Sequence, residues 1–258
     1  MTRLIVITSG KGGVGKTTLT SNLAAALTDF GQEVIALDGN LTTPNLGLHV
    51  GLHLPKNTIH DVLRSETRLR DAIYPHSYGF GVIPASLGLN DLKGVDITRL
   101  PEVTFSLLGR ADYIIVDSSA GLGKEALSAL SAGDESIIIT NPNLPAVTDA
   151  LKMVKLAEKT EINVLGVVVN RVTGDEHELS SHQIQDLLGV PVLAEIPEDK
   201  SIPESINQKQ PLVAYNPEAP AAIEIKKLAA NLTGRKYEPP PKEEPGFFSR
   251  IIGWFRGQ

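Results

Sequence analysis

A glycine-rich run near the amino terminus has the residue types and spacing that can hold phosphate groups. The run, Gly10-Lys11-Gly12-Gly13-Val14-Gly15-Lys16-Thr17, fits the pattern G-x-x-x-x-G-K-[ST]. Because glycines accept unusual backbone angles, consecutive N–H groups can turn inward around phosphate oxygens. The Lys16 ammonium can then reach the β- and γ-phosphates, and the Thr17 hydroxyl can bind Mg²⁺. The run therefore predicts a phosphate loop with a magnesium ligand.

The segments on either side of this run are the ones that a phosphate loop requires. Residues 4–8 are almost continuously apolar and rich in β-branched side chains, which predicts a strand buried on both faces. Residues 17–30 carry apolar side chains at helical spacing, and Gly31 is a typical helix stop. The amino terminus of that helix would place partial positive charge at the phosphates.

The rest of the chain alternates between strand-like and helix-like segments. Further strands are predicted at residues 34–37, 81–84, 113–116, 136–140, 164–169 and 190–196. Further helices are predicted at residues 124–132, 146–159, 179–188 and 219–232. Buried strands that alternate with helices indicate an α/β fold: a doubly wound, mostly parallel sheet with helices on both faces.

The chain divides into three parts by composition. Residues 1–234 carry the strand and helix pattern and are predicted to form a single domain. Residues 235–245 form a charged linker rich in proline, which favours an extended spacer over a helix. Residues 246–258 form a short terminal element of different character.

The overall composition excludes several classes of protein. The chain has 258 residues, of which 41% are hydrophobic, so it can bury a sizeable core. It contains no cysteine, which excludes disulfide frameworks, thiolate metal sites and thiol catalysis. Its formal net charge of −6 disfavours nucleic acid as a partner. The start of the chain has no signal-peptide pattern, and we expect a cytoplasmic protein.

The carboxyl terminus holds the only tryptophan and half of the six phenylalanines. On a helix of about 100° per residue, the large apolar side chains of residues 246–257 fall within an arc of roughly 160°. These are Phe247, Phe248, Ile251, Ile252, Trp254 and Phe255, and the opposite side carries Arg250 and Arg256. Such a helix suits the surface of an anionic membrane. A terminal helix docked back on the domain is the alternative.

The phosphate loop with a lysine at position 11 resembles the deviant Walker A loop of the MinD/ParA family of ATPases. In that family this lysine reaches the nucleotide of the other subunit. The resemblance implies that ATP and Mg²⁺ are the ligands, that residues Gly10 to Thr18 bind the nucleotide, and that Lys11 and Lys16 act in hydrolysis. It also implies an ATP-dependent homodimer with the nucleotides between the subunits. MinD proteins end in a membrane-targeting helix, whereas ParA proteins generally lack one.

The resemblance extends to four further positions along the chain. Asp38, after the second predicted strand, matches the first switch, and Asp117 in Ile115-Val-Asp-Ser-Ser-Ala-Gly121 matches the second, where both would serve Mg²⁺. Ser119 replaces the proline that is usual in the second switch. Asn170 and Arg171 end a strand that resembles the one that contacts adenine. Pro197, Glu198 and Asp199 match the loop that closes over the base.

The first switch departs from the family pattern at one position. The family usually has Asp-x-Asp, whereas this chain has Asp38-Gly39-Asn40. The second aspartate is implicated in positioning or activating the attacking water. Asparagine can hydrogen-bond but cannot take a proton, and phosphoryl transfer depends mainly on positioning and electrostatics. Slow hydrolysis is the favoured interpretation. An ATP-binding switch that hardly hydrolyses, and an enzyme that holds its water with another group, remain open.

The function predicted from these features is that of a MinD-like ATPase. It would attach reversibly to the inner face of the cell membrane and position a cellular assembly together with an unidentified activating or cargo protein. A ParA-like partition ATPase that binds DNA is the alternative, because Lys152, Lys155 and Lys159 lie at helical spacing. A nonhydrolysing regulator that binds ATP and a protein partner is a third possibility. The absence of cysteine separates the chain from iron–sulfur carriers that share its loop.

Overall fold

A computed structural model describes residues 1–239, which form a sheet covered by helices on both faces. Within these residues the sheet has eight strands in the order β3-β4-β2-β5-β1-β6-β7-β8, and only β3 runs antiparallel to its neighbour. The strands are β1 (Arg3–Ser9), β2 (Val34–Gly39), β3 (Tyr74–Pro75), β4 (Gly81–Ile83), β5 (Tyr113–Ala120), β6 (Glu135–Thr140), β7 (Asn163–Val172) and β8 (Val192–Pro197). The predicted fold class is confirmed.

Residues 1–239 contain ten α-helices. They are α1 (Lys16–Asp29), α2 (Leu46–His49), α3 (Ile59–Leu63), α4 (Leu100–Phe105), α5 (Lys124–Leu130), α6 (Leu144–Lys159), α7 (Ser181–Leu188), α8 (Ser201–Asn207), α9 (Leu212–Tyr215) and α10 (Pro220–Thr233). Five of them, α1, α5, α6, α7 and α10, match predicted helices. Short 3₁₀ helices occupy Leu69–Ala72, Leu89–Leu92 and Ile97–Arg99. The shortest helices, such as α2 and α9, were not predicted because a single turn is too short to carry a hydrophobic period.

The central strands are buried on both faces, as parallel strands between helices must be. In β1, Ile5 and Ile7 belong to the core that includes Leu23 of α1 and Ile225 of α10. Alternate residues of the same strand, Leu4 and Val6, belong to the core of the opposite face with residues of α3 and α4. A third apolar cluster joins α6 and α7 to β6 and β7. The aliphatic side chains of β1 thus connect both layers.

The sheet order places the phosphate loop at a point where ligands bind in doubly wound folds. The chain leaves β1 for β2 on one side, whereas β6 to β8 lie on the other side of β1. Loops at the carboxyl ends of strands separate at such a reversal and leave a crevice. The loop that follows β1 lies at this crevice.

The carboxyl-terminal predictions lie mostly beyond the described residues. Residues 240–258 contain most of the predicted linker and all of the predicted membrane helix, with its residues Phe247, Phe248, Arg250, Ile251, Ile252, Trp254, Phe255 and Arg256. These two predictions therefore stay predictions. Along residues 1–239, no helix combines the length and the apolar character needed to cross a bilayer.

Candidate nucleotide and magnesium site

The phosphate loop joins β1 to α1 and divides its two lysines between different environments. Gly13 and Gly15 have φ angles of 77° and 106°, in the left-handed region that favours glycine. Lys16 begins α1 and is only 8% exposed, and its Nζ donates to Ser9 Oγ at 3.0 Å. Burial lowers the pKa of Lys16, against the charge of Asp117. Lys11, in contrast, is exposed.

Gly10 is required for a different reason, namely the close approach of α6. A Cβ atom at this position would lie 2.1 Å from the backbone oxygen of Asp149. Atoms cannot come that close, so any side chain would push the loop and α6 apart. The first glycine of the motif therefore fixes the distance between the phosphate loop and a helix that is remote in sequence.

Thr17 and Asp117 come together across the gap between α1 and β5. The Thr17 hydroxyl donates to Asp117 Oδ2 at 2.6 Å, although the two residues are 100 positions apart. Burial raises the pKa of Asp117 to about 6, against the hydrogen bond from Thr17 and the charge of Lys16. The second oxygen, Oδ1, is buried and has no hydrogen-bond partner among the described residues. A divalent cation bound beside the threonine hydroxyl would supply the partner that this carboxylate oxygen lacks.

Asp38 lies next to Asp117 at the carboxyl edge of the sheet. The backbone N–H of Asn40 donates to Asp38 Oδ1 at 3.1 Å, and those of Asn45 and Leu46 donate to Oδ2 at 3.1 and 3.0 Å. Burial, followed by the nearby charge of Asp117, raises the pKa of Asp38 well above its usual value, against these three hydrogen bonds.

These residues fit a magnesium ion bound to nucleotide phosphates. Two buried carboxylates repel each other, and a divalent cation would offset that repulsion. Thr17 Oγ1 would bind the ion, and Asp117 and Asp38 would hold its water ligands. When bound, the ion neutralises charge on the β- and γ-phosphate oxygens.

Residues 40–45, here called the Asn40 loop, connect β2 to α2 beside the phosphate loop. The Asn40 side chain is committed to this loop: its Nδ2 donates to the Thr43 carbonyl at 2.6 Å, and its Oδ1 accepts from Thr43 Oγ1 at 3.1 Å and Thr43 N at 3.3 Å. A water molecule would have to compete with these bonds for the Asn40 side chain. In this arrangement the Asn40 side chain is not free to position the attacking water, which is its predicted role.

Glu125, which was not predicted as a functional residue, also holds the Asn40 loop. Glu125 lies in the first turn of α5, and its carboxylate accepts from Thr42 N at 2.9 Å and from Thr42 Oγ1 at 2.8 Å. This contact connects the loop after β2 to the helix after β5. Nothing in the sequence pairs two residues that lie 83 positions apart.

Asn170 and Arg171, near the end of β7, were predicted to contact adenine, and both lie beside the phosphate loop. Asn170 Nδ2 donates to the backbone carbonyl of Val14 at 2.7 Å, so its donor stabilises the phosphate loop. Arg171 has a φ angle of 60°, which is uncommon for a residue with a side chain. Its guanidinium lies 3.8 Å from the Glu198 carboxylate.

A cavity of about 190 Å³ lies between these groups and α8. Its lining consists of Gly15, Thr18, Asn170, Arg171, Glu198, Ile202, Pro203 and Ile206. Apolar side chains beside a donor and an acceptor suit a planar base. Pro197 and Asp199, which were predicted to bind nucleotide, are not among these residues. Asp199 instead accepts backbone N–H groups from Ser201 at 2.8 Å and Ala221 at 3.3 Å, at the starts of α8 and α10.

A second cavity, of about 350 Å³, covers the phosphate loop and shares part of its lining with the first. It is lined by Gly12, Gly13, Gly15, Lys16, Thr17, Thr18, Asn40, Thr43, Asn45, His49, Ala120, Arg171 and Ile206. Together the two cavities would suit a nucleotide, with its phosphates over the loop and its base beside α8. The position of His49 in this cavity was not predicted.

The comparisons with known proteins agree with this geometry. A ParA family model, described as NUBPL iron-transfer P-loop NTPase, matches residues 1–233. The chain belongs to the MinD/ParA family of P-loop ATPases. As a member of this family it is an ATPase, and its cofactors are ATP and Mg²⁺.

Three relatives cover nearly the whole chain. An ATP-binding protein of Methanocaldococcus jannaschii is 38% identical over 249 residues, which are 96% of this chain and 94% of that protein. The septum site-determining protein MinD of Pyrococcus horikoshii, solved with Mg-ADP, is 40% identical with a TM-score of 0.87, over 90% of this chain and 96% of that one. MinD in the Aquifex aeolicus MinC:MinD complex is 32% identical with a TM-score of 0.81, over 92% and 97%.

Proposed function

We propose that this ATPase acts as a MinD-like positioning protein. It would bind Mg-ATP, form a homodimer with the nucleotides between the subunits, and attach to the inner face of the cell membrane through residues 246–258. In that state it would position a cellular assembly. The observation that carries the proposal is the separation of the two phosphate-loop lysines: Lys16 is buried in its own site, whereas Lys11 is exposed beside the same cavity.

The exposed position of Lys11 supports the dimer. A charged side chain that serves only its own loop would turn toward the bound phosphates. Lys11 is instead exposed, while its backbone carbonyl accepts a hydrogen bond from Ser9 Oγ at 2.7 Å. An exposed ammonium beside a phosphate site can neutralise phosphate charge on a facing subunit.

The composition of the tail supports reversible membrane attachment. One amphipathic helix binds a bilayer weakly, because the gain from apolar burial is offset by the cost of ordering the segment. Two tails on one dimer act as a bivalent ligand and can gain ~10²–10⁴ in avidity. ATP-driven dimerisation would thereby control membrane binding, and hydrolysis would release the protein.

A protein partner is part of the same proposal. The MinD relative in the solved Aquifex aeolicus complex is bound to MinC. By analogy, the dimer of this chain would present a surface for an activating or cargo protein. Hydrolysis without such a partner would be slow, because the Asn40 side chain is hydrogen-bonded to Thr43.

The proposal is tested by co-sedimentation of the full-length protein with vesicles that contain anionic phospholipid. We expect binding with ATP or a nonhydrolysable analogue and little binding with ADP. A chain truncated after Pro245 should remain in the supernatant. Trp254→Glu should do the same, whereas the matched change Ser249→Glu, on the polar side of the predicted helix, should retain most binding. Equal sedimentation of the truncated and full-length chains would contradict membrane attachment.

The DNA-binding alternative is weakened by the ion pairs on α6. Lys152 donates to Asp149 at 2.9 Å, and Lys155 donates to Glu158 at 2.9 Å, so acidic partners on the same helix offset these charges. A salt-sensitive retention of DNA by the ATP-bound protein, without vesicle binding, would favour this alternative.

A further inference from the structure

His60 is a completely buried histidine that lies outside both cavities. It belongs to α3 and has no exposed surface. Its Nε2 lies 3.1 Å from the backbone carbonyl of Leu41, in the Asn40 loop. Its Nδ1 lies 3.0 Å from the backbone nitrogen of Ser86, in the segment after β4. The imidazole therefore connects two chain segments that do not belong to its own helix.

The partners of the ring define its protonation state. Ser86 N–H can only donate, so His60 Nδ1 must accept and carries no proton. Nε2 then carries the proton of the neutral ring and donates to the Leu41 carbonyl. Burial lowers the pKa of His60, against the bond to Leu41. Both ring nitrogens are thus fully used, and the ring is neutral.

Several hydrogen bonds hold α3, the helix that carries His60, in place. A capping box between Thr58 and Asp61 begins α3. Ile59 N donates to the Pro84 carbonyl at 2.9 Å, which ties α3 to the end of β4. Arg64, at the end of α3, donates to Asp61 at 2.6 Å. His60 accordingly extends from a supported helix to a loop.

We propose that His60 is a positioning residue for ATP turnover, because it holds the Leu41 carbonyl and thereby the Asn40 loop against the magnesium and phosphate site. Leu41 directly follows Asn40 and is 1% exposed. Its buried side chain and its carbonyl together fix the loop at this point. One peptide bond joins Leu41 to Asn40, and Asn40 lines the cavity over the phosphate loop.

A purely space-filling role would not require this arrangement. An apolar residue of similar volume would fill the same position, but it would leave the Leu41 carbonyl and the Ser86 N–H without their present partners. A neutral imidazole satisfies both at once. The orientation of the ring is therefore set by two backbone groups, one of which belongs to the Asn40 loop.

Two substitutions separate the two hydrogen bonds. In His60→Gln the amide nitrogen can reach the place of Nε2 and donate to Leu41. In His60→Asn the shorter side chain can accept from Ser86 N–H but cannot reach Leu41. We measure steady-state hydrolysis of radiolabelled ATP with Mg²⁺ and anionic vesicles over a range of ATP concentrations, together with hydrogen exchange of backbone amides 40–46 and thermal unfolding. His76→Gln, a histidine of the β3–β4 hairpin, is the control.

We expect His60→Asn to lower kcat by about tenfold while the KM for ATP stays within about twofold. Exchange in residues 40–46 should accelerate in the same variant. His60→Gln should recover most of the rate, and His76→Gln should match the parent. Equal rates for His60→Asn and the parent would overturn the inference, and so would equal losses in His60→Asn and His60→Gln, because a merely structural histidine would give either result.

The inference rests on the proposed role of the Asn40 loop in hydrolysis, and Asn40→Ala distinguishes the two. If Asn40→Ala leaves kcat unchanged, the role of the loop itself is wrong. If Asn40→Ala lowers kcat but His60→Asn does not, only the role of His60 is wrong. Thermal unfolding of each variant identifies a loss of rate that arises from unfolded protein.

Discussion

Asp38 and Asp117 are register partners on the adjacent strands β2 and β5, and both residues are completely buried. Their juxtaposition raises the pKa of Asp38 beyond what burial alone would do. A pair of this kind destabilises the protein without its cation, because one or both charges must be held away from water. The two carboxylates therefore favour the state in which a cation is bound.

The first prediction concerns the pH dependence of this cost. In the folded protein, burial raises the pKa of Asp117 from its ordinary value of 3.8 to about 6. The cost is therefore fully present above pH 6 and is lost as the pH falls toward 3.8. Asp117→Asn removes it and keeps an oxygen for Thr17. Without ligand, the variant should have a larger free energy of unfolding than the parent at about pH 7.5. This difference should shrink by up to about 3 kcal/mol as the pH falls to about 4.

Urea unfolding across this pH range measures the difference. It reports Asp117 together with its effect on Asp38, and both contributions have the same sign. Asp134→Asn, at an exposed position before β6, is the control and should show a nearly constant difference. A difference for Asp117→Asn that is independent of pH would mean that the carboxylate is not perturbed. With Mg-ATP, Asp117→Asn should bind the nucleotide more weakly than the parent.

The second prediction is that Asn40→Asp increases hydrolysis. An aspartate cannot donate to the Thr43 carbonyl, which Asn40 Nδ2 contacts at 2.6 Å. Without that bond the carboxylate is free to turn toward the phosphates and position water, while the contact between His60 and Leu41 still holds the loop. We expect kcat to rise by about tenfold with vesicles or partner present. If phosphate release is no faster than in the parent, the asparagine does not limit the rate.

The third prediction concerns the contact between Gly10 and α6. In Gly10→Ala the new Cβ would overlap the Asp149 backbone, so the loop or the helix must move. We expect a loss of about 1–3 kcal/mol in stability and weaker ATP binding. Gly123→Ala is the matched control, because no heavy atom of the described residues lies within 4 Å of its Cβ position and its φ is −73°. Scanning calorimetry should show a lower melting temperature for the first variant alone.

The fourth prediction separates nucleotide binding from dimerisation. Lys11→Ala should bind ATP with nearly the affinity of the parent, because Lys11 is exposed and Lys16 provides the buried ammonium. It should nevertheless stay monomeric with ATP in sedimentation velocity and should not bind vesicles. Lys56→Ala, another exposed lysine, should behave like the parent. An ATP-dependent dimer of Lys11→Ala would remove the support that Lys11 gives to the proposed function.

The main strands and helices were predicted well because their apolar patterns are long. Residues 146–159 were predicted as a helix and α6 spans Leu144–Lys159, while residues 164–169 lie within β7. Asp38, Asp117 and Asn170 lie in the carboxyl-terminal halves of β2, β5 and β7, and β5 extends four residues beyond the predicted strand 113–116. The nucleotide-binding roles of Pro197 and Asp199 stay predictions: neither residue lines the cavity beside α8, and Asp199 bonds the starts of α8 and α10.

The contacts that hold the Asn40 loop could not be predicted in the same way. Glu125 bonds Thr42 from a helix 83 positions away, and His60 bonds Leu41 from a one-turn helix. Neither residue belongs to a motif, and an isolated histidine or glutamate has no periodic signal. Ser9, which accepts from Lys16, was likewise overlooked at the end of the mainly apolar strand β1.

The sequence by itself determined the phosphate loop, the alternation of strands and helices, and the exceptional Asn40, since each depends on residues that are close together in the chain. Tertiary structure alone decided that β5 lies between β1 and β2, which brings Asp117 beside both Thr17 and Asp38. It also decided that His60 reaches the Asn40 loop. Hydrogen bonds and burial join groups by distance in space, and local patterns carry no record of that distance.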